Sequence, residues 1–274
     1  MNGDQLITTW LKNPYPLWNT AVSQALVNKG GFASTFDGYS IESALTGRYN
    51  ANSLVRIEQE ELSPSLELPT ELLDFFYRDH GLEYFPVVPG QTDAFIKKLN
   101  GAFGIIKSVS PVYEDITHLV RTIQILKSDQ SENDVSYSHP KIPFSIFLSL
   151  CEEESKIADL RVAESIIHES MHLKLTLVEN RMPLVKLHTE NVFYSPWRGE
   201  SRPVRGVLHG LFVFRVILDF YRALQATSIY KTNELFLSGR ISTIKSELYE
   251  INSFAVSPGL TEYGKIFVAK LLQN

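Results

Sequence analysis

Apolar positions in this chain recur with two periods, and the helical one dominates. Spacings near 3.6 residues run through 93–106, 114–119 and 156–177, and again through 203–226, 232–251 and 261–272. Shorter helices are predicted over 4–11, over 17–27, where Gly30 and Gly31 stop the chain, and over 70–79. Residues 35–62 are polar and rich in turn formers. Strand signals are fewer. Val120 to Leu126 alternates in part with period two, and Pro143 to Leu150 (PFSIFLSL) is an apolar run of strand length. Glu152, Glu153, Glu154 and Ser155 then lead into the 156–177 helix, an acidic entry that suits a helix N-terminus. Residues 179–202 read as a loop containing Pro183, Pro196 and Gly199, and Pro203 opens the next helix where proline is favoured. The expectation is a predominantly helical α+β fold in one domain, 1–274, with residues 1–90 mostly helical. A small sheet packs against a helical core that, for the reasons below, is expected to bind a metal.

Composition narrows the function classes. At 44% hydrophobic and 21% charged, with no apolar run near the ~20 residues of a membrane span, the chain reads as a soluble protein with a full core. The start of the chain lacks a basic segment followed by an apolar one, so no secretory signal is expected. Its one cysteine, Cys151, excludes an intrachain disulfide framework and fits a reducing cytoplasm; a small buried apolar side chain suits it better than a nucleophile. A net charge of −5 offers no general attraction to nucleic acid or anionic lipid. Basic residues nevertheless gather at Arg198, Arg202 and Arg205.

The chemistry concentrates in His168-Glu169-Ser170-Met171-His172, an H-E-x-x-H run inside the 156–177 helix. Residues four apart lie on one helix face, so His168 and His172 can direct two imidazoles at one divalent ion. Glu169 is about 100° round from His168, which suits a base or a partner of the ligands better than a third ligand. An apolar stripe of Leu160, Ala163, Ile167, Met171 and Leu175 runs beside the histidines, and imidazoles at the edge of a buried face need partners that a metal can supply. The bland alternative is a helix with one exposed and one buried histidine. His188 suits a surface loop, His139 a turn before the sheet, and His80 and His118 structural positions.

A third ligand decides what such a metal can do. Glu190 lies 190 − 172 = 18 positions on, one short of the common aminopeptidase spacing and close to Pro196, where a long helix is implausible. The metzincin continuation, with glycine and a third histidine, is absent after His172. His209 is the better candidate. On a helix opened by Pro203, the residues Arg202, Arg205 and His209 fall within about 60° of one another in projection. With Arg198 just before, this set pairs an imidazole with guanidiniums that can hold a carboxylate in a bidentate fork.

The order PFSIFLS (143–149), AESIIHESMHLKL (163–175), YSPWR (194–198) and RPVRGVLHG (202–210) resembles the HEXXH motif domain, a family of 2-oxoglutarate-dependent peptide β-hydroxylases found with ribosomally made, modified peptides. The resemblance covers about residues 140–215 and little of the first ninety. It implies Fe(II), 2-oxoglutarate and O2, with a precursor peptide as substrate. His168, His172 and His209 would then be the metal ligands, and Arg198, Arg202 or Arg205 would take the distal carboxylate of 2-oxoglutarate. Three protein ligands would leave three positions on an octahedral ferrous ion for the co-substrate and O2. Two other readings stay open. One is a Zn(II) hydrolase in which Glu169 activates a metal-bound water. The other is a non-catalytic helical protein that interacts with partners in a biosynthetic complex.

Overall fold

The computed structural model describes residues 40–42, 53–58, 63–83, 90–127, 135–139, 142–150, 155–180 and 182–273. The helices expected over 4–11 and 17–27, Cys151 and the acidic run 152–154 lie outside the described residues. The described part is mainly helical with a small mixed sheet, as an α+β reading requires. It falls into two compact units, one within Val22–Leu173 and one over Lys174–Asn274.

The first unit is built on a five-stranded sheet. Its strands are β1 (Leu54–Arg56), β2 (Ser65–Glu67), β3 (Thr122–Ile125), β4 (Ser136–His139) and β5 (Ile142–Leu148), ordered β1-β2-β3-β5-β4. β2, β3 and β5 run parallel, while β1 and β4 pair antiparallel at the two ends. All four residues of β3 are buried, which is why period-two alternation showed there only in part: a central parallel strand is covered on both faces. Its polar side chains bond within the sheet, with Gln124 Oε1 alone left without a hydrogen-bond partner among the described residues of the strand. Thr122 Oγ1 bonds Ser145 Oγ at 2.8 Å, and Gln124 Nε2 donates to Glu67 Oε2 at 2.6 Å. Glu67 also accepts from the backbone N–H groups of Ile41 and Glu42, at 3.0 and 3.1 Å. Burial pushes its carboxyl up, against the pull of those hydrogen bonds.

Three helices, α1 (Glu71–Asp79), α2 (Gln91–Lys107) and α3 (Ser110–Leu119), supply apolar faces. Leu99, Ala102, Phe103 and Ile106 of α2 and Val112 and Ile116 of α3 are fully buried. Ile41, Leu73, Tyr77, Leu126 and Phe147 form a cluster, with Tyr77 edge-on to Phe147 at 5.5 Å. Helix α4 (Lys156–Glu179) crosses close to α2: a Cβ on Gly101 would stand 2.8 Å from the carboxylate of Asp159.

The second unit holds the hairpin β6 (Val192–Ser195) and β7 (Glu200–Pro203), then α5 (Val204–Leu224), the short α6 (Ser228–Thr232), α7 (Glu234–Glu250) and α8 (Glu262–Leu271). The hairpin corrects the loop expected over 179–202. Ser195-Pro196-Trp197-Arg198-Gly199 is its turn: Ser195 O accepts from the N–H groups of Arg198 and Gly199, and Gly199 takes φ +65°. Pro203 ends β7 and precedes the helix, which starts at Val204. Arg215 is 2% exposed and bonds Asp219 at 3.0 Å; its Nη1 donates to Leu271 O at 2.8 Å, tying α5 to the end of α8. Gly264 lets α8 dock, because a Cβ there would lie 2.0 Å from Leu184 O. No helix of the described residues is long and apolar enough to cross a membrane.

Candidate metal centre

Helix α4 is buried almost all round. Leu160, Ala163, Ile167, Met171 and Leu175, the stripe read from the sequence, are each fully buried, and so are Ala158 and Ile166 on other faces. What stays accessible in its middle is a single line spaced three and four residues apart: Arg161, Glu164, His168 and His172. The two histidines therefore share one half-buried stripe, and their rings converge. His168 Nε2 and His172 Nε2 are 3.2 Å apart, with ring planes at 69°. Two nitrogens at that separation, each bonded at about 2.0–2.2 Å, subtend roughly 95–105° at a shared ion, between the octahedral and tetrahedral angles. The same distance suits an N–H···N hydrogen bond between the rings, so metal titration rather than geometry separates the two.

Glu169 lies off that stripe and is 4% exposed. Its carboxylate is held from β4: Ser136 Oγ donates to Oε1 and Ser138 Oγ to Oε2, each at 2.6 Å. Alternation along the strand puts these two serines on one face. Tyr137 turns to the other face, against Phe147 at 5.7 Å and with its hydroxyl 3.3 Å from His80 Nδ1. The Tyr137 phenol is pushed up, first by burial and then by the charge of Glu169. Oε1 of Glu169 lies 4.0 Å from His168 Nε2, so the carboxylate stands beside the histidine pair. Ser136 and Ser138 were not singled out in the sequence. The one signal near them was His139, expected in a turn before the sheet. His139 belongs to β4, with its ring 5.1 Å from that of His80.

His209 lies on α5 with its side chain 11% exposed, and its Nε2 is 2.9 Å from Glu179 Oε2. Arg205 joins the same oxygen through Nε and Nη2, both at 2.8 Å. Burial would raise the Glu179 carboxyl, yet His209 and Arg205 outweigh it and hold it below the usual carboxylate range. Arg202 pairs with Glu200 at 3.0 Å, while Arg198, at the hairpin turn, has no ion pair among the described residues. All three arginines are exposed. His188 sits in a turn with φ +54°, and Glu190 precedes β6 outside any helix.

The glycine and tryptophan of the resembling motifs have a packing role. A Cβ on Gly210 would stand 2.6 and 2.7 Å from Cε3 and Cζ3 of Trp197, which stacks on Phe214 at 5.0 Å and 13°. The hairpin turn thus folds its indole onto α5 through the gap that Gly210 leaves. Trp197 Nε1 is buried with no hydrogen-bond partner among the described residues.

Among the described residues, no group of three or more His, Cys, Asp or Glu side chains is gathered closely enough to hold a metal ion. His168 and His172 provide two convergent nitrogens, the donor type that iron(II) and zinc(II) both accept, with an ionisable carboxylate beside them. Compared with models of known protein families, the sequence matches none. A comparison with curated proteins likewise finds no match.

Proposed function

We propose that this protein is an Fe(II)- and 2-oxoglutarate-dependent oxygenase that hydroxylates a side-chain Cβ in a ribosomally made peptide. The observation that carries this reading is the 3.2 Å convergence of His168 and His172 within the ordered H-E-x-x-H, SPWR and RPxxGxxHG motifs. His168 and His172 would hold the iron, with His209 the third ligand named by the sequence. Bound there, iron with 2-oxoglutarate and O2 supplies an oxidant able to replace a C–H bond by C–OH, with succinate and CO2 as coproducts; that chemistry belongs to the cofactor.

The chain's own residues bind and orient. Glu169, fixed by two hydroxyls, presents a buried anion beside the pair that can accept a proton or a hydrogen bond. Arg198 is the readiest cation for the distal carboxylate of 2-oxoglutarate, since Glu179 and Glu200 already engage Arg205 and Arg202. Apolar neighbours of the histidines on α4 limit access of water to that side of the site.

The test is mass spectrometry of candidate precursor peptides incubated with protein, Fe(II), 2-oxoglutarate and ascorbate. The expected result is gain of one oxygen on the peptide, dependent on 2-oxoglutarate and matched by succinate. Peptide cleavage by zinc-loaded protein without 2-oxoglutarate would assign the site to a hydrolase instead.

A further inference from the structure

We infer that Ser136 and Ser138 are positioning residues, a pair of hydroxyls that holds Glu169 beside a metal carried by His168 and His172 and keeps it from becoming a ligand. This rests on the reading above only in requiring that the histidine pair binds a divalent ion.

Three observations carry it. First, the two hydroxyls divide the carboxylate between them, one on each oxygen at 2.6 Å, the short range of charge-assisted O–H···O bonds. Second, Glu169 is 4% exposed, so water cannot replace those donors cheaply, and a buried carboxylate stripped of them would seek another partner. Third, the nearest strong partner would be the ion itself: Oε1 is already 4.0 Å from His168 Nε2, the nitrogen that converges with His172. Carboxylate oxygen is an accepted ligand of such ions, so a Glu169 freed of its two donors would have the ion as a competing partner. Such capture would fill a coordination position that an exchangeable ligand needs.

Ser136 and Ser138 both reach Glu169 from β4, whose pairing with β5 shifts register between Tyr137 and His139, whereas Tyr137 meets Phe147 and His80. Serine is the smallest residue that delivers a hydroxyl there. Threonine would keep the hydroxyl, and alanine would remove it with little change in volume.

The test uses Co(II) as a spectroscopic probe on the whole chain. Wild-type protein should bind one Co(II) with a visible spectrum that Glu169→Gln leaves essentially unchanged. Ser136→Ala/Ser138→Ala should shift and intensify that spectrum as Glu169 coordinates, and tighten Co(II) binding by about tenfold. Adding Glu169→Gln to the double variant should abolish the shift, and Ser136→Thr/Ser138→Thr should restore the wild-type spectrum. If the double variant does not fold, the single alanine variants carry the test, since each frees one oxygen and must show the shift. Co(II) bound with a wild-type spectrum in the alanine variants would overturn the clamp and leave the metal site standing. Failure of wild-type protein to bind Co(II) would overturn the metal reading, and the clamp with it.

Discussion

The H-E-x-x-H stretch and the Arg/His209 stretch were both picked out as site residues, and the structure treats them differently. In the first, the side chains converge on one another and on a carboxylate held by neutral donors: two imidazole nitrogens 3.2 Å apart, with Glu169 between two serines. In the second, every group but Arg198 is engaged by an acidic partner. Glu179 takes His209 and Arg205, and Glu200 takes Arg202. Convergent nitrogens are what the proposed metal would need, whereas an imidazole and a guanidinium on one carboxylate satisfy one another without any ligand. The difference teaches that motif residues brought together by sequence order need not share a task. Gly210 and Trp197 serve packing, and the metal reading leans on α4 far more than on α5.

The sharpest way to break the contrast is to remove one member of each set. His168→Ala or His172→Ala should weaken Fe(II) or Zn(II) binding more than about a hundredfold, read by titration, because one imidazole of a convergent pair cannot hold the ion alone. If His209→Ala has an equal effect, the third ligand is His209 and the two regions act together; if it has none, the third ligand lies elsewhere. Next in size is the co-substrate cation. Arg198→Ala should raise the apparent 2-oxoglutarate KM by about ten- to a hundredfold with metal binding retained, and more than Arg202→Ala or Arg205→Ala. Unchanged dependence in all three variants would remove the arginines from the site.

Gly210→Ala tests the packing role. Its Cβ would meet the Trp197 ring at 2.6 Å, so denaturant unfolding should show a loss of about 1–3 kcal/mol. Trp197→Ala should make that loss partly disappear, because the two residues share one contact. A smaller effect should come from pH. The Glu179 carboxyl lies lower in the folded protein than its unfolded value of about 4.3, so its contribution is fully present above that pH. It is lost as pH falls through the folded value. Glu179→Gln should therefore cost about 1–2 kcal/mol near neutrality and nothing at the acid end, flattening the acid limb of the stability profile. Smallest of all, Arg202→Ala should change stability by less than about 1 kcal/mol, since Arg202 and Glu200 are 46% and 57% exposed.

What could be read from the sequence was what is local. The i, i+4 spacing of His168 and His172 fixes their shared face whatever the tertiary surroundings, and the stripe beside them is buried as its periodicity demands. The long helices followed for the same reason. Ser136 and Ser138 could not be read this way, because they reach Glu169 across 33 and 31 residues and nothing local marks a strand of four half-buried positions. The hairpin at Pro196 and Gly199 was hidden by its own turn residues, which interrupt periodicity in a loop and in a tight turn alike. Partners such as Glu179 for His209 depend on which helices meet, and no spacing rule supplies that.

The central claim is tested most directly by measuring 2-oxoglutarate binding under anaerobic conditions with and without Fe(II). In an iron site that chelates the co-substrate, each must strengthen the other's binding by the same factor. Wild-type protein should bind 2-oxoglutarate at least about tenfold more tightly with Fe(II) present, and His168→Ala should lose that coupling. Binding that is indifferent to the metal, or absent with it, would contradict the account.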